Sequence, residues 1–225
     1  MTTESNFLSI SLPLKQPLTD ALRQTVLEDL PELRNVKDVD LRDRAVEAWA
    51  IALAGSSFRR LSELPGEANP GFLVLKSGSQ TVHLRGVARL AVDLATQMKA
   101  LDPGVDIDDD VLLAGALCHD LGKPWEFDPG NQQRWRSDAS RVGAASLRHT
   151  IYGAHIALIA GLPESIAHIA SCHSAEGNNV IRSLECRIIH HADETWWTTA
   201  AACGLIEEDS IKEAIKRFEP RPLKA

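Results

Sequence analysis

Apolar residues recur every three to four positions along most of this chain, which is the spacing of one face of an α-helix. In the segment from Thr19 to Leu30 this stripe is followed directly by Pro31, a residue that ends helices. The same pattern predicts helices at Leu41–Leu53, Thr81–Leu101, Val111–Asp120, Ser146–Ala160, Pro163–His173 and Ser183–Ala202, and a short amphipathic helix from Glu207. The chain is therefore predicted to be an all-α bundle with a helical N-terminal extension.

The longest predicted helix, Thr81–Leu101, is amphipathic. Its spacing predicts the following buried residues: Val82, Val87, Leu90, Leu94 and Met98. Two segments lack the helical pattern. Residues 65–80 are rich in Gly, Pro and Ser and are interpreted as a connection with at most one extended piece at Phe72–Leu75, and residues 122–144 as a polar, irregular stretch. No β-hairpin signal is found.

These boundaries divide the chain into three parts. Residues 1–70 are predicted to form the helical extension, 71–206 the main helical domain, and 207–225 a C-terminal helix or tail. The extension is left with two interpretations, a cover over the core or a contact in a homodimer.

Composition and charge restrict the class of protein. With 225 residues and 44% hydrophobic residues, the chain can bury a substantial core. Its net charge of −7 argues against a general nucleic-acid binder. The apolar run Val111–Cys118 is about half of a membrane-spanning length, and the first residues have no secretory signal pattern. A cytoplasmic protein without membrane association is expected.

The four cysteines do not form a CxxC pair, so neither a zinc ribbon nor a thioredoxin motif is predicted. Cys118 and Cys172 each precede a histidine, which permits a catalytic interpretation. The better interpretation of both is a small apolar residue on the inner face of a helix.

The histidines are unevenly distributed: all eight lie between His83 and His191. An apolar helix runs directly into His119-Asp120, and burying an imidazole beside a carboxylate is costly unless something charged compensates for it. A divalent metal ion would do so, since neutral His and ionised Asp are common metal ligands. The alternative is a hydrogen-bonded His–Asp pair in an ordinary core.

Further candidate ligands lie on separate predicted helices. They are His83, His149, His173 and Asp193. In an α-bundle, side chains from separate helices converge inward, which is how such folds build metal centres.

This ordered set resembles the signature of the HD-domain metalloenzyme superfamily: a His, then a His-Asp pair, then a later Asp, on an all-α bundle. The resemblance covers roughly residues 80–200, and its most specific element is Leu117–Lys123. It implies an HD-domain-like helical bundle. The intervals of 30, 24 and 20 residues from His119 through His149 and His173 to Asp193 are similar to those of the dinuclear branch.

The resemblance implies two divalent transition metal ions, Fe or Mn, with Co, Ni or Zn as other options. The first ion would be held by His83, His119, Asp120 and Asp193. The second would be held by His149 and His173, with Asp120 bridging both ions. The Gly-Tyr-Pro segment of the cyclic-dinucleotide phosphodiesterases is absent after His173, which argues against that substrate.

The other four histidines are predicted to be structural. His155 would face away from His149, and His168 would pack or face solvent. His190 would orient the Asp193 carboxylate, and His191 receives no ligand role.

Asp120 and Lys123 are the predicted catalytic residues. Basic side chains around the irregular stretch are predicted to bind an anionic substrate. The predicted substrate-binding residues are Lys123, Arg134, Arg136, Arg141 and Arg148. Trp125 and Trp135 either wall the pocket or pack in the core.

Three functions follow. The first is a metal-dependent (phospho)hydrolase that attacks a small phosphate-containing or other anionic substrate with a metal-activated hydroxide. The alternative is an HD-type dinuclear-iron oxygenase that cleaves a C–C or C–P bond of a small acidic substrate. The third is a non-catalytic module that senses a ligand or partner.

Overall fold

The computed structural model describes residues 13–140 and 143–211. Its helices are α1 (Asp20–Asp29), α2 (Val39–Ala54), α3 (Gln80–Leu101), α4 (Asp109–Cys118), α5 (Lys123–Phe127), α6 (Pro129–Ser137), α7 (His149–Ile159), α8 (Glu164–Cys172) and α9 (Leu184–Ala202), with 3₁₀ turns at Pro31–Asn35, Leu61–Glu63 and Ala175–Asn179. Two strands, β1 (Pro65–Asn69) and β2 (Phe72–Ser79), form one small sheet. Helix makes up 65% of the structure, so the predicted all-α fold class is confirmed.

Side-chain caps start several helices where the sequence places an acid or a hydroxyl. The Asp108 carboxylate accepts hydrogen bonds from the first backbone N–H groups of α4, and Ser183 does the same for α9. Such caps satisfy N–H groups that have no partner within the helix. The Asp108 cap fixes the residue at which α4 begins, and the length of the helix then sets the position of its C-terminal end, which His119 follows.

Helix α4 lies at the centre of the fold and packs against α2, α3, α8 and α9. Its residues from Ala114 to Cys118 are buried. The indole N–H of Trp49 on α2 donates to the Leu117 carbonyl at 3.0 Å. The N-terminal helices thus contact the back of the same helix that ends at the His-Asp pair.

The buried face of α3 differs from the predicted one. Val82, Leu90 and Leu94 are 50%, 38% and 38% exposed, Met98 is half-buried, and Val87 alone of the five predicted residues is buried. The face that packs carries the following residues instead: Gln80, His83, Leu84, Val87, Ala88, Ala91 and Ala95. Alanines let helices approach closely, so α3 buries its small residues and exposes larger ones.

The segment expected to be a simple connection is an antiparallel hairpin. Glu67 pairs with Val74 and Asn69 with Phe72, and a register shift follows Pro65. Pro70-Gly71 makes the turn, with Gly71 at φ 72°, a left-handed conformation that glycine adopts without strain. The irregular register explains why alternation did not reveal these strands.

Residues 122–144 also differ from the prediction, because two short helices, α5 and α6, occupy most of this stretch. Asp128 caps α6 and Pro129 occupies its first turn. Capping starts this helix, and the polar composition of the segment leaves no apolar stripe from which a helix could be predicted.

The predicted domain boundaries stay predictions. The first, at 70/71, falls in the turn between β1 and β2, and residues just after α9 pair with β2 through Leu75 and Ile206. Of the predicted C-terminal helix or tail, residues 212–225 lie outside the described residues. Over the described ranges, no helix is both long and apolar enough to span a membrane.

Candidate metal centre

Six side chains meet in the interior where five helices come together. Their positions are His83 in the first turn of α3, His119 and Asp120 directly after α4, His149 at the start of α7, His173 directly after α8, and Asp193 on α9. All of them are buried except Asp193, which is half-buried. These are the six residues predicted to be ligands, and the structure brings all of them together.

The two carboxylate oxygens of Asp120 face different histidines. Oδ2 lies 3.5 Å from His83 Nε2 and 3.3 Å from His119 Nε2. Oδ1 lies 3.3 Å from His149 Nε2 and 3.6 Å from His173 Nε2. We call His83, His119 and Asp193 the His83 half, and His149 and His173 the His149 half. Asp120 stands between the halves.

A close backbone contact joins the start of α5 to the start of α7. A Cβ atom added to Gly122 would lie 2.0 Å from the His149 carbonyl oxygen. Only glycine permits this approach, which brings His149 to within reach of Asp120. Close packing therefore explains why the motif Leu117–Lys123 has a glycine at position 122.

Three of the four histidines are oriented by a hydrogen bond from Nδ1. His119 donates to the Ala116 carbonyl at 2.7 Å, and His173 donates to the carbonyl of the residue three positions before it at 3.0 Å. His149 donates to Glu126 Oε2 at 2.5 Å. A neutral imidazole that carries its proton on Nδ1 directs the Nε2 lone pair inward, as a metal ligand must.

His83 is held by packing. Its ring stacks on Trp197 at 4.7 Å between centroids and meets Trp196 edge-on at 4.8 Å. Its buried Nδ1 has no hydrogen-bond partner among the described residues. Its orientation therefore depends on the two tryptophans.

The donor set fits a cation. Asp193 Oδ1 is buried and has no hydrogen bond within residues 13–140 and 143–211, because its 3.3 Å contact with His83 Nε2 does not have hydrogen-bond geometry. The Nε2 lone pairs of His119 and His149 each lie 3.3 Å from a carboxylate oxygen of Asp120. Acceptor atoms directed at one another in this way are costly unless a positive ion lies among them. The four imidazoles and two carboxylates are the ligands that divalent transition metals prefer.

The protonation states agree with this fit. Burial lowers the pKa of His83, and burial together with the nearby Lys123 charge lowers the pKa of His149 to about 4, so both are neutral at pH 7. Burial would raise the pKa of Asp120, but Lys123 and His119 hold it well below its usual range.

His119 behaves differently. Burial lowers its pKa, yet the charges of Asp120 and Asp193 outweigh burial and raise the pKa overall. The field at His119 therefore favours positive charge.

Lys123 is almost completely buried, with 1% of its surface exposed. Its Nζ donates to the Ala68 carbonyl in β1 and lies 4.0 Å from Asp120 Oδ1. The structure thus places the predicted catalytic lysine beside the cluster.

A cavity of about 560 Å³ opens onto the cluster. Its lining residues are Ala68, Asn69, Phe72, Leu73, Asp120, Lys123, His149, His173, Ser174, Asp193, Glu194, Thr195, Trp197 and Thr198. The unexpected hairpin therefore forms one wall and α9 another.

The cavity lining does not include Arg134, Arg136 or Arg148, which were predicted to bind the substrate. Arg148 lies 3.3 Å from Glu126 and 3.4 Å from Glu176. Arg134 donates to the Asn131 side chain, and Arg136 lies in the last turn of α6. Arg141 is outside the described residues.

The two tryptophans of that stretch do not line the cavity either. Trp125 stacks on Tyr152 at 4.4 Å, and Trp135, which is buried, meets Trp125 edge-on. They pack, which was one of the two interpretations.

The remaining histidines lie outside the cluster. His190 donates from Nδ1 to the His173 carbonyl at 2.6 Å, so it contacts the chain at His173, whereas it was expected to orient Asp193. His168 accepts a hydrogen bond from the backbone of Ser183, and His155 lies near Tyr152.

Two buried polar residues of the site were missed from the sequence. Gln80 donates to Asp120 Oδ2 at 2.5 Å, and Glu126 accepts the hydrogen bond from His149 Nδ1. Gln80 is one turn before His83, a spacing that could have indicated it. Glu126 is 23 residues from His149 and gives no local signal.

Comparison with known proteins agrees with the geometry. The family model for the HD domain matches residues 81–196, which is more than half of the chain. The chain therefore belongs to the HD domain family, a superfamily of metal-dependent hydrolases that bind divalent metals and act on small substrates. No curated protein matches the chain, and no solved structure does.

Proposed function

We propose that this protein is a metal-dependent phosphohydrolase that uses two divalent ions and acts on a small phosphate-containing or otherwise anionic substrate. The observation that carries the proposal is Asp120: one oxygen faces the imidazoles of the His83 half, and the other faces those of the His149 half. A carboxylate between two such sets is suited to bridge two ions.

The residues of the His83 half, with Asp120, would hold the first ion, and those of the His149 half, with Asp120, the second. Fe and Mn are the expected ions, with Co, Ni or Zn as other options. Bound divalent ions supply a nucleophile at neutral pH and neutralise charge on phosphate oxygens.

The charges around the cavity support a requirement for cations. Its lining carries three carboxylates, on Asp120, Asp193 and Glu194, and one ammonium, on Lys123. Taken alone, these groups repel an anionic substrate. Divalent ions held by the cluster would reverse the sign of the charge there, so substrate binding should depend on metal.

Lys123 has two roles in the proposal. Its ammonium holds Asp120 ionised, since its charge lowers the pKa of that carboxyl. It also keeps donor capacity after its bonds to the Glu67 and Ala68 carbonyls, because an ammonium has three N–H groups. We assign the remaining capacity to an oxygen of the anionic substrate.

The outer part of the cavity would hold the rest of the substrate. Phe72, Leu73 and Trp197 offer apolar surface, and Thr198 and Asn69 offer polar groups. A cavity of about 560 Å³ lies within the range typical of small-molecule sites.

The test is phosphate release from a broad panel of phosphoesters by protein loaded with Mn²⁺, Fe²⁺, Co²⁺ or Ni²⁺, with oxygen uptake followed in parallel. Hydrolysis that a chelator abolishes is expected. Asp120→Asn should lower the rate by at least about 10³-fold, because the bound ions supply several kcal/mol.

Asp106→Asn is the matched control. It makes the same substitution at an exposed position outside the cavity lining and should leave the rate unchanged. Full metal loading with no phosphate release would contradict the proposal. Oxygen uptake coupled to substrate cleavage would favour the diiron oxygenase.

A further inference from the structure

A second group of side chains that carry metal-ligand atoms lies on α9, where its members flank Asp193 in the sequence. It consists of His190, His191 and Glu194, and one ligand atom from each lies within 4.8 Å of the others. None of these residues belongs to either half of the buried centre.

Helix geometry explains why the three side chains converge. Successive residues of a helix are rotated by about 100°, so His191 is about 100° from His190, and Glu194, four residues on, is about 40° from it. Glu194 therefore lies between the two histidines in direction and one turn further along the axis. Its Oε2 is 3.6 Å from His190 Nε2 and 3.9 Å from His191 Nδ1.

One ligand is already oriented for metal binding. His190 donates from Nδ1 to the His173 carbonyl at 2.6 Å, which fixes its proton there. Its Nε2 is then a lone-pair donor directed at Glu194. A backbone carbonyl on the far nitrogen is a common support for metal-binding histidines.

The other two ligands are free to adjust. The side chains of His191 and Glu194 are 59% and 62% exposed, so small rotations can bring their atoms to coordination distance. Water can fill the remaining positions, since three protein ligands with an open position are a common arrangement for zinc.

We propose that His190, His191 and Glu194 form a separate site for a borderline divalent ion such as Zn²⁺ or Co²⁺, at the edge of the cavity. Two imidazoles and a carboxylate favour such ions over Mg²⁺ or Ca²⁺, which take oxygen ligands. Because Glu194 also lines the cavity, an ion held here would neutralise one carboxylate of its wall. The proposal does not depend on the proposed hydrolase function.

The test is equilibrium dialysis of the full-length protein against buffered free Zn²⁺, with bound zinc per chain measured by elemental analysis. Wild type and His191→Ala are compared at each concentration. We expect wild type to bind one zinc ion more per chain at the higher concentrations. Losing a residue that only supports a metal ligand typically lowers metal affinity by about 10- to 100-fold. Losing the ligand His191 itself should lower the zinc affinity of this site by at least as much.

His155→Ala is the matched control, because it removes another exposed histidine that lies outside the group. It should bind as much zinc as wild type. Glu194→Gln removes a different ligand of the group, and it takes the place of His191→Ala in the zinc-binding comparison if that variant does not fold.

Equal zinc binding by wild type, His191→Ala and Glu194→Gln would overturn the proposal. An equal loss in His155→Ala would also overturn it, since that result indicates unspecific binding by surface histidines. Each result is a difference in bound zinc between variants, so it does not depend on how many ions the buried cluster holds. A negative result here would therefore leave the proposed hydrolase function untouched, and the reverse also holds.

Discussion

The His149 half and the His83 half share Asp120, but different contacts orient their imidazoles. His149 donates to the buried carboxylate of Glu126 at 2.5 Å. In the part of the chain that the structure describes, the Nδ1 of His83 has no hydrogen-bond partner, and its ring contacts two tryptophans. His149 is therefore held by a charged hydrogen bond and His83 by packing.

The surroundings of Glu126 strengthen this difference. Burial would raise its pKa, but His149, Lys123 and Arg148 lower it to about 2, so Glu126 is ionised at neutral pH. An anionic acceptor makes His149 a stronger electron donor to a metal. A packed ring such as His83 gains no such effect. The halves should therefore differ in metal affinity, with the His149 half sensitive to charge and the His83 half to shape.

Among the substitutions that distinguish the two halves, Gly122→Ala should lower turnover the most, because it displaces the His149 half as a unit. The new methyl group would lie 2.0 Å from the His149 carbonyl oxygen, so α7 must move. Misplacing a catalytic group by about 1 Å can cost about 10²-fold in rate. Overpacking should also lower the free energy of unfolding by about 1–3 kcal/mol. Turnover and urea denaturation measure the two effects.

Gly104→Ala is its control. A Cβ atom there meets only the flexible Asp102 side chain, at 3.1 Å, in an exposed loop. If Gly122→Ala behaved like Gly104→Ala, the close contact between α5 and α7 would have no role in the site.

Glu126→Gln should weaken one ion selectively. It keeps an acceptor for His149 but removes the charge, and losing such an outer partner typically costs about 10- to 100-fold in metal affinity. Competition with a chelator should show one weakened ion and one unchanged ion. Glu164→Gln, at an exposed position on α8, should change neither. Equal weakening of both ions would contradict the division into halves.

Trp197→Leu tests the other half and should have a smaller effect. An aromatic contact is worth about 0.5–1.5 kcal/mol beyond its buried area, so the affinity of the ion bound by the His83 half should fall by at most about tenfold. Trp197→Phe should restore most of it, because a ring can still stack on His83. No difference between these two variants would show that stacking does not orient His83.

The smallest effect is expected at the ion pair between the segment that precedes α1 and the residue that caps α6. Lys15 bonds to Asp128, whose carboxylate also accepts from the backbone of Ser57. Burial would raise the pKa of Asp128, but these contacts outweigh it and lower the pKa. Stability from this ionised carboxylate is present above the ordinary carboxyl pKa of about 3.9 and is lost as pH falls through the lowered value.

Lys15→Met should therefore destabilise the protein by at most about 1 kcal/mol at pH 7, as is typical of a partly exposed ion pair. Thermal unfolding across the acid range should show the difference from wild type shrinking below about pH 4. Lys76→Met, at an exposed position on β2, serves as the control. A difference that persisted in acid would assign the effect to packing of the lysine stem.

The sequence revealed the buried cluster because all its members except Asp193 lie at or near helix termini and because they recur in a recognisable order. His119 and Asp120 directly follow an apolar helix, and this contrast in polarity stands out without any structure. Helical spacing likewise located α1, α2 and α9.

The supporting contacts could not be read in the same way. Glu126 reaches His149 only because the Gly122 contact brings α5 and α7 together, and no local pattern encodes such a long-range approach. The directions of Arg134 and Arg148 are set by nearby acids and rings, which composition does not show. The buried face of α3 was misassigned because close packing selected alanines, while the larger apolar residues remained exposed.

The metal content per chain of anaerobically purified protein tests the central claim most directly. Wild type should contain two ions, His149→Ala one, and Asp120→Asn none, because Asp120 serves both halves. One ion in wild type, unchanged in His149→Ala, would contradict a centre of two ions that share Asp120.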